Sequence, residues 1–206
     1  MARTGRPRNF DRDEALGTAM HLFWEHGYEG VSLDQLRQAM GGISSASFYA
    51  AFGAKEALYR EALSRYLSIH GRVVEALRDT SLSPRARLEQ ALRRSAVMQT
   101  GAAHPAGCMV TLSSTICSTG GTSVRAVTAA ERAANRAAIF ACVEAGVADG
   151  LLRPETDVTG LSTLFEGVLV GLSIQARDGV AADAFGAAIT QALKAWDANW
   201  AGALER

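Results

Sequence analysis

Residues Val31 to Glu56 read VSLDQLRQAMGGISSASFYAAFGAKE, and this stretch decides the fold because it spells two short helices joined by a glycine turn. Ser32, with Gln35 three residues on, is a capping-box start, and Leu36 and Met40 give the first helix its apolar stripe. Gly41 and Gly42 stop it. Ser44 opens a second helix in which Phe48 and Phe52, one turn apart, form the inner face, leaving Ser45, Ala46, Tyr49 and Ala50 to look outward. A short second helix with small outward residues has the shape of an element that enters a DNA groove.

Charge supports this by position rather than by amount. Residues 1 to 66 hold eight Lys or Arg and eight Asp or Glu, so the segment is neutral overall. Yet no acid lies between Asp34 and Glu56, Arg37 and Lys55 flank the turn, and Arg3, Arg6 and Arg8 precede the first acid at Asp11. Both basic groups are placed to lie against phosphate. The whole chain carries 21 basic and 21 acidic residues, so affinity for nucleic acid has to come from such local patches.

A chain of 206 residues is long enough for two small domains, and 48% hydrophobic against 20% charged residues describes a globular protein rather than a disordered one. No apolar run has the length of a membrane span, and no apolar segment follows the arginine-rich start, so a cytoplasmic protein is expected. Cys108, Cys117 and Cys142 form no CxxC pair, and an odd count argues against a disulfide framework. His104 and Cys108 are four apart, but no tight ligand cluster accompanies them, so neither a metal nor a cofactor is expected. The chain lacks GxSxG, a P-loop and HExxH, and its four histidines are scattered, which argues against an enzyme.

The remaining pattern is helical. Asp11 with Glu14 begins a helix whose Leu16, Ala19, Met20 and Phe23 recur until Gly27, and Lys55 to about Ser68 carries Leu58, Ala62, Leu63 and Tyr66 as a connecting helix. Ser83 and Pro84 start a helix running through Met98, and Pro105 to about Thr115 reads as another. Ser123 to Asp149 is a long helix ended by Gly150, followed by helices over Asp157 to Ala176 and Ala181 to about Ala203.

Residues 5 to 66 resemble the DNA-binding domain of the TetR family of bacterial one-component transcriptional regulators, through the arm GRPR, the helix DRDEALGTAMHLFWEHGYEGVSL and above all SFYAAFGAKEALYREAL. Residues 70 to 206 resemble the family as an Ala-rich helical domain, with GCMVTLSST and GLSIQARDGV similar to segments of one subset of members. The implied fold is all-α: a basic arm over 1–10, a three-helix helix-turn-helix domain over 11–66, and a helical ligand-binding and dimerisation domain over 67–206. The implied function is a homodimeric repressor released from a palindromic double-stranded DNA operator by a small-molecule effector.

The resemblance also implies roles for particular residues. Ser45, Ala46 and Ala50 would meet base edges or thymine methyls, and Tyr49, Lys55, Ser32 and Ser47 would contact phosphate. Ser44 would combine capping with a backbone contact, and Arg3, Arg6 and Arg8 would reach a minor groove or flanking phosphates. Two departures stand out. Many members carry a lysine near Ser45 and a histidine near Ala51, and this chain has neither. The second glycine, Gly42, adds one residue to the usual turn, which would rotate the reading helix and leave more of the work to the arm.

In the C-terminal half, Leu161, Leu164, Phe165, Val168, Leu169 and Leu172 cover more than one face of their helix, and Gly167 and Gly171 allow close helix approach. With the last helix and Trp196 they are expected to form a dimer interface, against the alternative of a central core helix. Met98, Cys108, Met109, Phe140, Cys142 and Phe165 are soft or aromatic side chains expected to line an apolar effector pocket, although the same residues also suit a core. Two rival functions fit the chain: a helical small-molecule-binding protein with weak DNA reading, and a thiol-based redox-sensing regulator using Cys108, Cys117 or Cys142.

Overall fold

Helix boundaries in the computed structural model, which describes residues 10–113 and 122–204, fall where the sequence supplies caps and glycines. The Asp11 carboxylate accepts from the N–H groups of Asp13 (2.8 Å) and Glu14 (3.2 Å) and opens α1, Arg12–His26, which ends at Gly27 with φ 74°. The capping box at Ser32 is complete: its hydroxyl accepts from Gln35 N–H at 3.1 Å, and the Gln35 side chain accepts from Ser32 N–H at 2.7 Å, opening α2, Leu33–Ala39. Next come α3, Ser45–Phe52, and α4, Lys55–Ile69. Together these helices enclose Phe23, Trp24, Phe48 and Tyr59 completely, with edge-to-face contacts between Phe23 and Tyr59 (centroids 5.1 Å apart) and Trp24 and Tyr66 (4.7 Å).

From α4 the chain passes into a 3-10 segment, Gly71–Arg78, which the apolar spacing does not announce. Ser83 and Pro84 then open α5, Pro84–Gln99, with the Ser83 hydroxyl accepting from Ala86 N–H at 3.3 Å. The helix expected from Pro105 shrinks to a single turn, α6, Met109–Leu112, because Gly107 sits at φ 82° and no helix passes through it. Three long helices complete the domain: α7, Thr122–Ala148; α8, Val158–Arg177; and α9, Ala182–Asp197. α9 stops short of Ala203 because the chain turns back on the loop after α7, where Arg153 N–H donates to Asn199 O at 2.9 Å and Ala201 N–H donates to Leu151 O at 3.0 Å. A 3-10 turn, Ala201–Leu204, follows. Among the described residues no strand forms beyond an isolated bridge between Leu152 and Trp200.

The 3-10 segment, α7, α8 and α9 all pack on α5. Their shared core holds Leu88, Leu92, Ile139, Val143, Phe165, Leu172, Phe185, Ile189, Leu193 and Trp196. α8 corrects one expectation, since by length and composition it is apolar enough to cross a membrane. One of its sides buries Leu161, Phe165, Leu172 and Ala176 in this core, so the apolar composition there serves packing.

The two cores do not part at α4. Met109, Val110 and Val124 belong to the first one, so α6 and the start of α7 pack into the three-helix head. Polar fasteners reinforce the junction. Trp24 Nε1 donates to Gly107 O at 3.0 Å, and the Arg177 guanidinium donates to the carbonyls of Ala106 (3.0 Å), Trp24 (2.7 Å) and Glu25 (2.5 Å). A Cβ on Gly107 would stand 2.5 Å from Leu112 Cδ1 and 2.7 Å from Ser173 O, so glycine is required by space as well as by φ.

Candidate nucleic-acid interface and effector cavity

Two successive left-handed glycines make the turn between α2 and α3, Gly41 at φ 86° and Gly42 at φ 72°. The N–H groups of Gly42 (3.0 Å) and Ile43 (3.2 Å) both donate to Arg37 O. Arg37 Nε donates back to Ile43 O at 2.9 Å, and Nη1 donates to Asp34 at 2.9 Å. The added glycine is thereby absorbed in a closed, hydrogen-bonded turn. Arg37, expected to lie against phosphate, braces that turn instead.

Beyond the turn, α3 has two faces. Phe48 and Phe52 are buried, whereas Ser44, Ser45, Ala46, Ser47, Tyr49 and Ala50 are exposed, Tyr49 at 52%. The Ser44 hydroxyl accepts from Ser47 N–H at 3.1 Å and donates to Ser47 Oγ at 3.0 Å, so the two serines fix each other. The first-turn N–H groups of Ser45 and Ala46 have no carbonyl within α3 to bond, and they give this end a partial positive charge. Ser32 is also exposed, at the start of α2. The surface is small and uncharged, suited to close approach of base edges and poor in reach for bidentate pairing.

Every Lys and Arg of residues 10–70 is already engaged. Arg12 pairs with Glu61 at 2.7 Å and lies 4.8 Å over the Phe52 ring, Arg60 pairs with Glu56 at 3.1 Å, and Arg65 pairs with Asp13 at 2.6 Å. Lys55 Nζ lies 4.3 Å over the Tyr28 ring, and desolvation there lowers its pKa, partly offset by Glu29. Half-buried, it is folded back onto the head. Exposed ion pairs contribute only about 0–1 kcal/mol, so phosphate can recruit these arginines, but each recruitment leaves a carboxylate behind. Arg3, Arg6 and Arg8 lie outside the described residues.

A cavity of about 200 Å³ lies where α4, the 3-10 segment, α5, α6, α7 and α8 meet. Met98 and Cys108 are on its wall. Four other residues expected there are elsewhere: Met109 is enclosed in the first core, Cys142 and Phe165 in the second, and Phe140 is exposed on α7. Periodicity marks the inner face of a helix without telling which inner positions have a neighbour opposite. The wall also holds polar residues that the apolar pattern passed over, including Ser95, Gln99, Asn135 and Ser173.

The thiols differ in kind. Cys142 donates to Pro84 O at 2.9 Å, and burial pushes its pKa up to about 11, so it stays protonated and cannot serve as a reactive thiolate. Cys108, half-buried, accepts from the Tyr66 hydroxyl at 3.3 Å, and burial raises the pKa of that phenol well above its usual value. Cys117 lies outside the described residues. Among the described residues no three His, Cys, Asp or Glu side chains are grouped to hold a metal.

Of the residues expected at a dimer interface, Leu161, Phe165, Leu172 and Trp196 point into the chain's own core and cannot also face a partner. Leu164, Gly167 and Ile174 are exposed on α8, with Val168 and Gly171 half-buried, and Ala184, Ala187 and Ala188 are exposed on α9. Nothing inside the chain requires glycine at 167, 171 or 186 on these helices. A Cβ at Gly167 or at Gly186 would meet nothing within 4 Å, and one at Gly171 would meet only the Gln175 side chain at 3.8 Å. At Gly146, by contrast, it would stand 2.7 Å from the Trp196 ring.

The profile of the bacterial regulatory proteins, tetR family, matches residues 15–62. Over 193 residues the chain is 32% identical to the HTH-type transcriptional repressor ComR of Escherichia coli K12, covering 93% of this chain and 91% of that one. The repressor BdcR of the same organism is 33% identical over 107 residues, 52% of this chain and 53% of its own. Among solved structures, the TetR family regulator CifR, a cysteine mutant complexed with 26-bp operator DNA, is 42% identical, covers 93% of this chain and 100% of its own, and superposes with a TM-score of 0.84. With a helix-turn-helix at its head and likeness to a repressor and to a solved TetR family regulator along nearly its whole length, the chain belongs to the tetR family of bacterial regulatory proteins.

Proposed function

We propose that this protein is a cytoplasmic homodimeric repressor that binds a palindromic DNA operator through α3 and loses affinity when a small molecule fills the cavity. The observation that carries the reading is the exposed first turn of α3, held on the buried Phe48 and Phe52, in a chain that aligns over 93% of its length with a protein named as a repressor. Ser45, Ala46 and Ala50 approach the bases, while Tyr49, Ser44, Ser47 and Ser32 face the backbone, with Lys55 swinging from Tyr28 to join them. The arm with Arg3, Arg6 and Arg8 supplies cations that the head has committed elsewhere.

Dimerisation is assigned to the outward side of α8 and α9. Helical glycine costs about 1 kcal/mol relative to alanine, and the open space around Gly167 and Gly186 gives that cost no purpose within one chain. Close approach of a second copy supplies one. Coupling runs through the cavity wall, which includes Tyr66 and Leu67 of α4 and Val110 and Thr111 of α6, elements packed into the head. A ligand favouring a displaced α4 or α6 lowers operator affinity by its differential binding to the two forms.

Mobility shift against fragments of the source genome tests the proposal. The expected result is retention of a palindromic fragment and a drop of about tenfold or more in affinity for Tyr49→Ala, the loss of one good contact. Retention unchanged by Tyr49→Ala removes α3 as the reading element. The engaged cations of the head favour one second reading, a helical small-molecule-binding protein with weak DNA reading, and that reading prevails if no fragment is retained.

A further inference from the structure

We infer that the cavity is built for a small uncharged molecule carrying a hydroxyl on a compact apolar body. The inference rests on the ligand-responsive reading above and adds the chemistry of the ligand.

Two side chains on the cavity wall are fully enclosed and short of a partner. Gln99, 1% exposed, donates from Nε2 to Ser95 Oγ at 2.6 Å and leaves Oε1 without a donor, while Ser173, 0% exposed, has no partner for its hydroxyl. Folded chains rarely keep such groups, because an enclosed polar atom without a hydrogen bond loses its hydration for nothing. Trp196 also carries an enclosed orphan atom, but it does not line the cavity. Gln99 and Ser173 both line the cavity, and their backbones approach the same residue. Gly107 N–H donates to Gln99 O at 2.8 Å, and a Cβ on Gly107 would stand 2.7 Å from Ser173 O, so both backbones close on this glycine.

The required chemistry follows from what each group lacks. Gln99 Oε1 needs a donor, and the Ser173 hydroxyl can supply one, so a ligand hydroxyl has the chemistry to answer both, donating to the first and accepting from the second. A carboxylate cannot donate to Oε1, and an ammonium can donate to Oε1 and to Ser173 Oγ but leaves the Ser173 proton without an acceptor. Either would also set a charge against neutral, enclosed groups. The charged wall residues do not relieve this, since Glu75, Arg78, Glu131, Arg132 and Glu166 are all at least partly exposed, whereas Gln99 and Ser173 are enclosed. Arg132 is held by Val110 O at 2.7 Å, and Glu166 by Arg136 at 3.0 Å. Leu67, Val74, Met98, Val110 and Leu169 supply the apolar lining. Because an apolar cavity of about 150 Å³ takes benzene, this one holds a ligand of roughly seven to ten non-hydrogen atoms.

Four probes of one framework test the inference on the full chain: benzyl alcohol, toluene, benzoate and benzylamine, titrated by calorimetry with melting temperature as a second readout. Benzyl alcohol is expected to bind at least tenfold more tightly than each of the others and to raise the melting temperature most. In Ser173→Ala the preference over toluene should fall severalfold, and in Gln99→Leu with Ser173→Ala it should vanish while toluene binding persists, which also shows that the cavity is still formed. Equal or tighter binding of toluene, preference for either ion, an unchanged preference in the double variant, or no binding by any probe overturns it. A preference for the alcohol in a protein that retains no operator leaves this inference standing and sinks the repressor reading, whereas operator retention without any probe binding does the reverse.

Discussion

Around Phe23 and Tyr59 the reading head is packed ring against ring, with Phe48 and Phe52 5.6 Å apart and Trp24 set edge-on to Tyr66. Around Leu92 and Phe165 the C-terminal half is packed chiefly with Leu, Ile, Val and Ala, and a cavity of about 200 Å³ lies on its border with the head. Aromatic rings have few rotamers and make broad contacts, so the head holds one shape, as an element that must register on DNA requires. A domain that must answer a ligand needs space and a second arrangement of similar energy. The difference is one of packing: rings interlock in the head, while the C-terminal half leaves space at its border.

The largest effect expected is on the head's own packing. Phe48→Ala removes a fully enclosed ring and should cost about 3–5 kcal/mol, read as a lower urea midpoint. Leu164→Ala on the outward side of α8 should cost well under half of that in a monomeric reference at low protein concentration. Similar losses for the two would erase the contrast between a tight head and an open flank.

Next is the arm. Because every cation of residues 10–70 is engaged, replacing Arg3, Arg6 and Arg8 together by alanine should lower operator affinity about tenfold or more and make the slope of log affinity on log salt shallower by up to ~3. An unaltered salt slope would mean that the head's own arginines leave their carboxylates for phosphate. A smaller change is expected at the turn. Gly42→Ala forces a Cβ into the left-handed region and should cost about 1–2 kcal/mol, with operator affinity falling as α3 shifts. Full stability in that variant would show that the closed turn tolerates another path.

The smallest effect lies at the junction between the cores, where His70 packs against Trp24 and His104. Desolvation, and then the nearby His104 and His21, hold its pKa below the ordinary value. The unfolded chain therefore takes up this proton first, so the stability involved is intact above about pH 6.5 and is lost as pH falls from there through the folded value. Urea midpoints measured across that window should decline toward acid, and His70→Phe should flatten the decline. A midpoint that climbs on acidification would contradict the assignment.

How much of this was legible in the sequence depended on range. The Ser32 and Ser44 caps, the glycine stops and the Phe48/Phe52 inner face are local signals, each written within a few residues, and they place the head's helices. The brace made by Arg37 was not legible, because a cation beside a turn looks the same whether it faces phosphate or closes on Ile43 O. The cavity was least legible of all. Gln99 and Ser173 belong to helices far apart in the chain and meet only through Gly107, whereas Phe140 and Cys142 carry the right side chains at positions that folding sends outward or into solid packing. On α8 the composition spoke for an interface, but only the folded chain separates Leu164 and Gly167 from Leu161 and Phe165, which share the same apolar period.

Met109, Val110 and Val124 fill places inside the reading head. A fragment cut after Ile69 would therefore lack part of its own interior, and a chimera that grafts this head onto another regulator would need to bring along α6 and the first turn of α7. The segment proposed to border the effector cavity is thus one of the building parts of the DNA-reading head, and a substitution that reshapes the one disturbs the packing of the other.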